Sequence, residues 1–415
     1  MRILIVTLGS HGDVHPFIAL ARALADAGHT PAILTNPHFS GVIQAAGVEC
    51  LPISEDLDIK DLIASKPVMH HSRGPMVVMR EMMLPIVPEV YQRTLESLRD
   101  FRADVCVTHP ICLGASWACE RAGVPCDVAA LAPSIWFTPG DRLVMAWWQS
   151  PEPGPLLSRL ECFAARIIMR HALDGGLNNA RRDLGLPPLR DGFFREALGG
   201  RHNLGLWSPH FRAMLPGDPP TGQICGFPWH DTVREHDPEW ERIERFLGEG
   251  EAPIVFTLGT AAVHAAGDFY EQAVRATGEL KRRAILLVGR PEYLPRDLPP
   301  GIAAFTYAPF SKILPRGAAS VHHAGIGTTA QVLRSGRPSV PVPFAHDQFD
   351  NAARLHRLGV ARIAKRGRHL GPRLAEALRA VLDDPSVTQR AGALGAKIAL
   401  EDGAAVAARI ITGPR

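Results

Sequence analysis

Residues 2–16 read Arg2-Ile3-Leu4-Ile5-Val6-Thr7-Leu8-Gly9-Ser10-His11-Gly12-Asp13-Val14-His15-Pro16, and a segment of helical periodicity follows from Phe17 to about Ala27. A short β-branched apolar run before a glycine turn and an amphipathic segment favours a strand-turn-helix unit. The same order recurs in the second half of the chain, where Pro253–Leu258 precedes the turn Gly259-Thr260 and a helix is predicted from about Asp268 to Glu279. Two such openings predict two doubly wound α/β domains.

Further apolar runs alternate with helical stretches in both halves. They lie at Thr30–Leu34, Val105–Thr108, Ala284–Val288, Ala318–His322 and Ser339–Pro343. This alternation favours parallel sheets that are covered by helices on both faces. Ligands of such sheets bind beyond the carboxyl ends of the strands, so we expect the functional site in the cleft between the two domains.

Periodicity is weakest over residues 216–250, which hold Pro219, Pro220, Gly222, Gly226 and Pro228. Proline and glycine interrupt helices and strands, so this stretch is the predicted inter-domain connection. We therefore expect an N-terminal domain over residues 1–215 and a C-terminal domain over residues 251–390. Residues 391–415 are predicted to form a C-terminal helix that packs back toward the N-terminal domain.

Composition limits the class of protein. The chain has 415 residues, of which 46% are hydrophobic and 21% are charged, values that exclude a disordered chain and a small binding module. Forty-five Lys and Arg against 42 Asp and Glu give a net charge of +3 without a basic block, so no nucleic-acid partner is expected. The first apolar run is too short for a signal peptide, and no run reaches the length of a membrane span. We expect a cytoplasmic protein, with a peripheral membrane contact left open.

The cysteines form no Cys-x-x-Cys pair, and we expect them to be free and reduced, without a metal or disulfide role. They stand at Cys50, Cys106, Cys112, Cys119, Cys126, Cys162 and Cys225. Cys112, Cys119 and Cys126 recur every seven residues, which predicts small apolar positions around one helix.

Three motifs carry the chemistry. In Gly9–Pro16, Asp13 stands at or near a helix N-terminus, where it either caps the helix or acts in a site. In His322–Thr329, glycines and the start of a helix offer main-chain N–H groups to a diphosphate, although the glycines alone also fit a structural turn. In Pro343–Asn351, acidic and amide side chains after a strand suit vicinal sugar hydroxyls, and Asp347 equally fits a helix cap.

In this order, the three motifs resemble those of the nucleotide-sugar glycosyltransferases of the GT-B fold, family one. The bacterial branch is the most similar, and it includes the rhamnolipid rhamnosyltransferase, the sterol glucosyltransferases and the glycopeptide-antibiotic glycosyltransferases. The resemblance covers nearly the whole chain and is most specific in Gly12–Ile18, Tyr307–Pro309 and His346–Ala352. It implies two facing, doubly wound, Rossmann-like domains with parallel sheets, with the acceptor in the N-terminal domain and the nucleotide-sugar donor in the C-terminal domain.

The resemblance implies a role for each matching position. Asp13 would be the base that takes the proton of the acceptor hydroxyl in an inverting reaction that needs no metal and no other cofactor. The donor diphosphate would be bound by Gly259, Thr260, His323, Gly325, Gly327 and Thr328. Tyr307 would stack on the nucleobase, and Asp347 with Gln348 would hold the donor sugar.

One position departs from the family pattern. Many uridine-diphosphate users carry a glutamate for the ribose hydroxyls eight residues after the phosphate-binding histidine, where this chain has Gln331. A thymidine-diphosphate donor lacks the 2′-hydroxyl, so Gln331 favours a dTDP-linked sugar such as rhamnose. A UDP-linked sugar such as glucose stays open, because glutamine also binds ribose.

The acceptor region is assigned from aromatic and histidine side chains in the N-terminal half. Trp136, Phe137, Trp147 and Trp148 cluster there, which suggests a lipophilic hydroxyl-bearing acceptor or a membrane-facing lip, while core packing also accounts for them. We assign His11, His109, Trp136 and Phe137 to this pocket. Asp56 and Asp58 are predicted to lie in a solvated loop, not in a metal site. A nucleotide-sugar 2-epimerase of the same architecture and a catalytically silent sugar-nucleotide binding protein are the alternatives.

Overall fold

The computed structural model describes residues 1–54, 66–146, 148–152, 154–230, 238–295 and 297–413. Asp56, Asp58 and Trp147, named above, lie outside these residues. The chain divides into two compact units. Unit 1 comprises Met1–Leu143, Pro153–His230 and Glu401–Arg415, and unit 2 comprises Val144–Glu152 and Asp231–Leu400.

Unit 1 is built on a parallel sheet of seven strands in the order β3-β2-β1-β4-β5-β6-β7. The strands are β1 (Arg2–Val6), β2 (Thr30–Thr35), β3 (Glu49–Pro52), β4 (Val105–Thr108), β5 (Cys126–Ala130), β6 (Asn203–Gly205) and β7 (Gly222–Ile224). All four residues of β4 are buried, as expected for a central strand covered on both faces. The sheet therefore has the architecture that the apolar runs predict.

Helices lie between most of these strands along the chain. They are α1 (His11–Asp26), α2 (Ser40–Ala45), α3 (Gly74–Val77), a π-helical stretch (Val78–Met83), α4 (Leu84–Asp100), α5 (Ala115–Ala122), α6 (Pro155–Asp183) and α7 (Gly192–Leu198), with 3₁₀ turns at Pro37–Phe39 and Pro133–Trp136. Helix α6, with 29 residues, mixes apolar and charged side chains along its length. Among the described helices, none is both long enough and apolar enough to cross a membrane.

Helix α1 begins earlier than the sequence predicts. It starts at His11 rather than near Phe17, because Ser10 and Asp13 form a reciprocal capping box around its first turn. Pro16 lies inside the helix, although proline in a helix interior removes one main-chain hydrogen bond. The turn that was expected over Gly9–Pro16 is therefore mostly helix.

Unit 2 is built on a five-stranded parallel sheet in the order β10-β9-β8-β11-β12. Its strands are β8 (Ile254–Thr257), β9 (Ala284–Leu287), β10 (Ile302–Phe305), β11 (Ala319–His322) and β12 (Ser339–Pro341). Its helices are α8 (Pro238–Gly248), α9 (Gly259–Ala262), α10 (Phe269–Glu279), α11 (Phe310–Ile313), α12 (Ile326–Ser335), α13 (Gln348–Arg357), α14 (Leu370–Leu382) and α15 (Pro385–Ile398), with 3₁₀ turns at Val263–Ala265, Pro291–Tyr293 and Leu314–Arg316. The two parallel-sheet α/β units confirm the predicted fold class.

The chain ends with helix α16 (Gly403–Thr412), which belongs to unit 1 and packs against α1. The stretch that was expected to be the connection, residues 216–250, holds β7 of unit 1 and α8 of unit 2. At the start of α16, Gly403 lies against the main chain that follows β7, and a Cβ at Gly403 would lie 2.2 Å from the main-chain oxygen of Gly226.

All seven cysteines are free. The prediction that Cys112, Cys119 and Cys126 lie around one helix is wrong, because Cys126 begins strand β5 and Cys112 precedes helix α5. Cys106, Cys119 and Cys126 come together instead, with their Sγ atoms all within 4.8 Å of one another. Cys106 and Cys119 are buried, and the three residues come from β4, α5 and β5.

Candidate active site

Both sheets reverse their strand order at one point, and some of the predicted site residues follow the strands at that point. In unit 1, β1 and β4 are neighbours in the reversal, and they are followed by Asp13 and His109. In unit 2, β8 and β11 are the corresponding neighbours, and they are followed by Gly259 and His323. Crevices beyond the carboxyl ends of parallel strands at such switch points are where open α/β sheets bind ligands.

Asp13 is fixed by the first turn of α1. Its Oδ2 accepts hydrogen bonds from the main-chain N of Ser10 at 2.7 Å and from Ser10 Oγ at 2.9 Å. Gly9 makes room for the carboxylate, since a Cβ at Gly9 would lie 2.4 Å from Asp13 Oδ2. Within the described residues both of these hydrogen bonds go to Oδ2 rather than to Oδ1.

The environment of Asp13 makes it a stronger base than an exposed aspartate. Burial raises the pKa of its carboxyl above the usual value of 3.8, and the hydrogen bonds from Ser10 act in the opposite direction. A base whose pKa lies closer to the working pH takes up a proton more effectively. Asp13 therefore caps α1 and has a raised carboxyl pKa, while its role as a base stays a prediction.

Histidine rings surround the first turns of α1. The centroid of His11 lies 5.1 Å from that of His15 and 5.1 Å from that of Phe39, and His15 lies 4.8 Å from His230. Burial, followed by the charges of His230 and His11, lowers the pKa of His15 to about 3. Sequence reasoning assigned a role only to His11 and missed His230, because no spacing signal joins residues so far apart in the chain.

His109 is buried after β4, and burial lowers its pKa to about 3, so its ring is neutral at pH 7. Its centroid lies 5.7 Å from that of Phe17, and its Nδ1 has no partner among the described residues. A neutral ring with one buried unpaired nitrogen is able to accept or donate one hydrogen bond to a ligand.

The two aromatic residues assigned to the acceptor pocket have structural contacts of their own. Trp136 is 2% exposed and its ring centroid lies 4.6 Å from that of Trp207, so core packing accounts for its place. Phe137 is half-buried in a left-handed conformation and lies 5.3 Å from Phe194 between ring centroids. Neither ring makes a recorded contact with Asp13 or His109 in the described part of the chain.

In unit 2, the imidazole of His323 lies against two glycines from neighbouring strands. A Cβ at Gly259 would lie 2.6 Å from His323 Cε1, and a Cβ at Gly325 would lie 2.4 Å from His323 Nε2. Because β8 and β11 pair in register, with Thr257 opposite His322, both turns leave the sheet at the same edge. Only glycine at positions 259 and 325 allows the ring to occupy this place.

The residue between His323 and Gly325 has an uncommon conformation. Ala324 has a φ of 65°, in the left-handed region that side chains with a Cβ rarely adopt. Its main-chain N donates to His322 Nδ1 at 3.2 Å, and its carbonyl oxygen accepts from Asn351 Nδ2 at 3.0 Å. These two bonds hold the turn that presents His323.

Helix α12 begins directly after this turn, with Gly325 as its N-cap and no side-chain hydrogen bond to the first turn. Uncapped main-chain N–H groups and the positive end of the helix dipole form an anion site. Gly327 is exposed and Thr328 is buried in the first turn, whereas Thr260 is exposed on the short helix α9. Of the predicted diphosphate residues, Gly259 and Gly325 lie directly against His323.

Both histidines of the turn are neutral at pH 7. Burial lowers the pKa of His323 to about 4, and burial together with the charge of His323 lowers the pKa of His322 to about 3. His323 Nδ1 has no partner in the described ranges of the chain. The ring is therefore able to donate one neutral N–H to an anion, while the helix end supplies the favourable field.

The loop before α13 carries the predicted sugar-binding pair. Asp347 is half-buried, and its Oδ2 accepts from Asn351 Nδ2 at 2.7 Å. Gln348 Oε1 accepts from the main-chain N of Phe344 at 2.8 Å and of Ala345 at 3.1 Å. Asn351 was quoted in the motif without a role, and it joins this loop to the turn at Ala324.

Asp350, next to Asn351, is bound within unit 2. It is fully buried, its Oδ2 accepts from Arg354 Nε at 2.7 Å, and its Oδ1 accepts from the main-chain N of Val144 at 3.2 Å. This acidic residue therefore holds protein groups rather than a ligand.

The two nucleoside residues lie at different strands of unit 2. Tyr307 follows β10, is half-buried, and donates from its main-chain N to Glu239 Oε2 at 3.2 Å. Gln331 lies on α12, and its Oε1 is buried without a partner among the described residues. An unpaired buried amide oxygen is costly, so a hydroxyl that donates to it would be favourable.

Comparisons with known proteins agree with this architecture. Residues 277–411 match the family described as Erythromycin biosynthesis protein CIII-like, C-terminal domain. The O-mycaminosyltylonolide 6-deoxyallosyltransferase of Streptomyces fradiae is 32% identical over 97% of this chain and 95% of its own length. Sterol 3-beta-glucosyltransferase UGT80A2 of Arabidopsis thaliana is 26% identical over 99% of this chain and 65% of its own length.

Solved structures show the same fold. The glycotransferase of kitacinnamycin has a TM-score of 0.74 and 21% identity, covering 99% of this chain and 98% of its own. The glycosyltransferase VinC, solved in complex with dTDP, has a TM-score of 0.66 and 19% identity over 97% of this chain and 96% of its own. The likeness extends over both units of the chain.

Proposed function

The chain belongs to the nucleotide-sugar glycosyltransferases of the GT-B fold, and from that premise we propose that it is an inverting hexosyltransferase for a lipophilic hydroxyl acceptor. Similarity over almost the whole length of a named glycosyltransferase favours this activity over the epimerase and over a silent binding protein. The residues proposed to act come from both units.

One observation carries the proposal, namely the position of His323 between Gly259 and Gly325 at the N-terminus of α12. We assign the donor diphosphate to this place. The ring N–H and the free N–H groups of the helix would stabilise the charge that develops on the leaving diphosphate. Electrostatic stabilisation of this kind lets the proposed transfer proceed without a metal ion or other cofactor.

Asp13 is the proposed base. As the acceptor oxygen attacks the anomeric carbon, its O–H bond breaks and the proton passes to Asp13 Oδ1, while the bond from the anomeric carbon to the diphosphate oxygen breaks. The electron pair of that bond leaves with the nucleoside diphosphate. Attack from the side opposite the leaving group inverts the anomeric centre.

The donor is proposed to be a dTDP- or UDP-linked hexose, with Tyr307 against the base, Gln331 at the ribose, and Asp347 with Gln348 at the sugar. Gln331 favours dTDP-rhamnose over UDP-glucose, and VinC was solved with dTDP. Because Gln348 Oε1 is engaged with its own loop, its amide NH₂ is the group proposed to reach the sugar.

The acceptor is proposed to be a hydrophobic alcohol. According to their names, the two relatives given above act on O-mycaminosyltylonolide and on a sterol. In unit 1, the candidates for contact with the acceptor are His11, in the first turn of α1, and His109, directly after β4. Trp136 and Phe137 pack against Trp207 and Phe194 instead, so the proposal gives them no direct role.

The test pairs a binding measurement with a transfer measurement. Thermal unfolding of the purified chain is followed with dTDP, UDP and their hexoses, since a ligand that binds the folded state raises the unfolding temperature. Radiolabelled donor is then offered with macrolide aglycones and sterols. A stabilising nucleoside diphosphate and a β-for-α change at the transferred sugar would support the proposal; stabilisation by no nucleotide would overturn it.

A further inference from the structure

Helix α6 presents an apolar face to solvent along its N-terminal half. The exposed fractions are 72% for Leu156, 53% for Leu157, 59% for Leu160, 66% for Phe163 and 61% for Ile168. At 100° per residue, these positions fall on one side of the helix, with the exposed Ala164 among them. Ser158, Cys162 and Leu173 on the opposite side are buried in unit 1.

Isolated exposed apolar residues are ordinary, but a contiguous face of large ones marks an interaction surface. The sequence places Gly154 and Pro155 directly before it, so the helix begins where the face begins. The face uses none of the residues assigned to the donor site or to Asp13.

Arginines follow one border of this face. Arg159, Arg166 and Arg170 are spaced seven and four residues apart, which puts them in one stripe beside Leu156 and Phe163. Arg159 is exposed, the guanidinium of Arg166 lies 4.4 Å from the ring centroid of Phe194, and Arg170 Nη1 lies 3.9 Å from Asp191 Oδ1. The half-buried Glu161 is the acidic residue on this half of the helix, at the other border.

This arrangement discriminates between occupants. If two copies paired these helices antiparallel about a two-fold axis, their arginine borders would lie side by side, and repulsion between like charges would oppose the contact. An anionic lipid surface fits both features at once, because acyl chains accept the apolar face and phosphate groups accept the arginines.

We propose that the face formed by Leu156, Leu157, Leu160, Phe163, Ala164 and Ile168 docks the protein onto an anionic membrane surface. The helix lies in the interface with Arg159, Arg166 and Arg170 at the level of the headgroups. This goes beyond the proposed transfer, although it would bring unit 1 to the place where a hydrophobic alcohol concentrates.

The experiment is vesicle sedimentation with the full chain and without any nucleotide sugar, so its result is independent of the transfer reaction. Vesicles of phosphatidylcholine alone are compared with vesicles that also contain phosphatidylglycerol. The expected result is binding to the anionic vesicles, weakened at high salt. The double variant Leu160→Glu/Phe163→Glu is expected to lose about tenfold or more in binding.

The control is Leu400→Glu, which places one of these two negative charges at a leucine that is 89% exposed in unit 2, and it should bind like the wild type. Both variants alter exposed positions, and unchanged thermal unfolding would confirm that each is folded. Absence of vesicle binding by the wild type, or equal binding by the double variant, overturns the proposal. So does a wild-type dimer that the double variant converts to monomer, since the face would then join two copies of the chain.

Discussion

Asn351 donates from Nδ2 to the carbonyl oxygen of Ala324 over 3.0 Å, and so joins helix α13 to the turn that presents His323. The same Nδ2 donates to Asp347 Oδ2 over 2.7 Å. Ala324 is left-handed, which costs on the order of 1 kcal/mol for a residue with a Cβ. Asn351 is fully buried and thus connects the proposed phosphate and sugar positions through one side chain.

Asn351→Ala is expected to weaken nucleotide binding about tenfold and to lower the free energy of unfolding by about 2 kcal/mol, because a buried carbonyl loses its donor. Calorimetric titration and urea unfolding measure the two effects. Adding Ala324→Gly relieves the strain that Asn351 opposes, so the double variant should recover part of both losses. Strict additivity of the two substitutions would contradict this role for Asn351.

Gly325→Ala is expected to abolish measurable donor binding, because its Cβ would lie 2.4 Å from His323 Nε2 and would displace the ring. Gly278→Ala, on helix α10 of the same unit and outside the proposed site, is the matched control, since a Cβ there meets nothing within 4 Å. It should bind donor within about threefold of the wild type, a change of well under 1 kcal/mol. Equal affinities for the two variants would remove His323 from the diphosphate site.

Asp13→Asn is expected to lower kcat by about a hundredfold or more, since the amide cannot take a proton, while nucleotide affinity stays unchanged. The amide oxygen still accepts from Ser10, so the capping box should survive. Ser10→Ala provides the converse control. It should cost about 1 kcal/mol of stability through the lost cap yet keep most of the turnover. Steady-state kinetics that ranked the two variants the other way would assign Asp13 a capping role alone.

Most strands were predictable because apolar runs in a parallel sheet are buried on both faces, and the predicted run Val105–Thr108 coincides with β4. The start of helix α1 at His11 could not be predicted from the sequence. A glycine at position 12 and a proline at position 16 argue locally for a turn, whereas the Ser10–Asp13 capping box supplies two hydrogen bonds that favour the helix. The two capping hydrogen bonds outweigh the turn propensity of Gly12 and Pro16, and the spacing of Ser10 and Asp13 alone is only a weak indication of a capping box.

The positions of His323, Gly325 and Gly259 after neighbouring strands follow from the order of apolar runs and glycines. The contact between His15 and His230 does not, because it depends on how the end of unit 1 returns to α1. The partners of Asp350 could not be predicted either. It stands in a polar motif in the sequence, but in the structure it accepts hydrogen bonds from Arg354 and from the main chain at Val144. Polar motifs indicate a site region, and burial decides which members face a ligand.

Acid is expected to destabilise the chain through its buried histidines. The pKa of His323 falls from 6.5 to about 4 on folding, so between those values the unfolded chain binds a proton that the folded chain does not. The free energy of unfolding is therefore unaffected by this group above about pH 6.5, and it decreases as the pH falls from 6.5 toward 4. Between pH 7 and pH 5, the free energy of unfolding should therefore fall by about 2 kcal/mol less in His323→Asn than in the wild type.

The control for the pH effect is His171→Asn, at an exposed histidine of α6, which should show the wild-type pH dependence. Urea unfolding at pH 7, 6 and 5 measures the difference. A wild-type pH dependence for His323→Asn would mean that this ring titrates normally, and would contradict its burial as the cause.

Gln331→Glu is expected to shift donor preference from dTDP toward UDP. The unpaired Oε1 of Gln331 is able to accept from one ribose hydroxyl. A carboxylate accepts from both ribose hydroxyls of UDP, whereas dTDP lacks the 2′-hydroxyl. Hydrogen bonds to a charged group are the stronger ones, so the ratio of UDP to dTDP affinity should rise about tenfold. Calorimetric titration of both nucleotides against both proteins gives the ratio directly. An unchanged ratio would place the ribose away from residue 331, and with it the argument for a thymidine-linked donor would be lost.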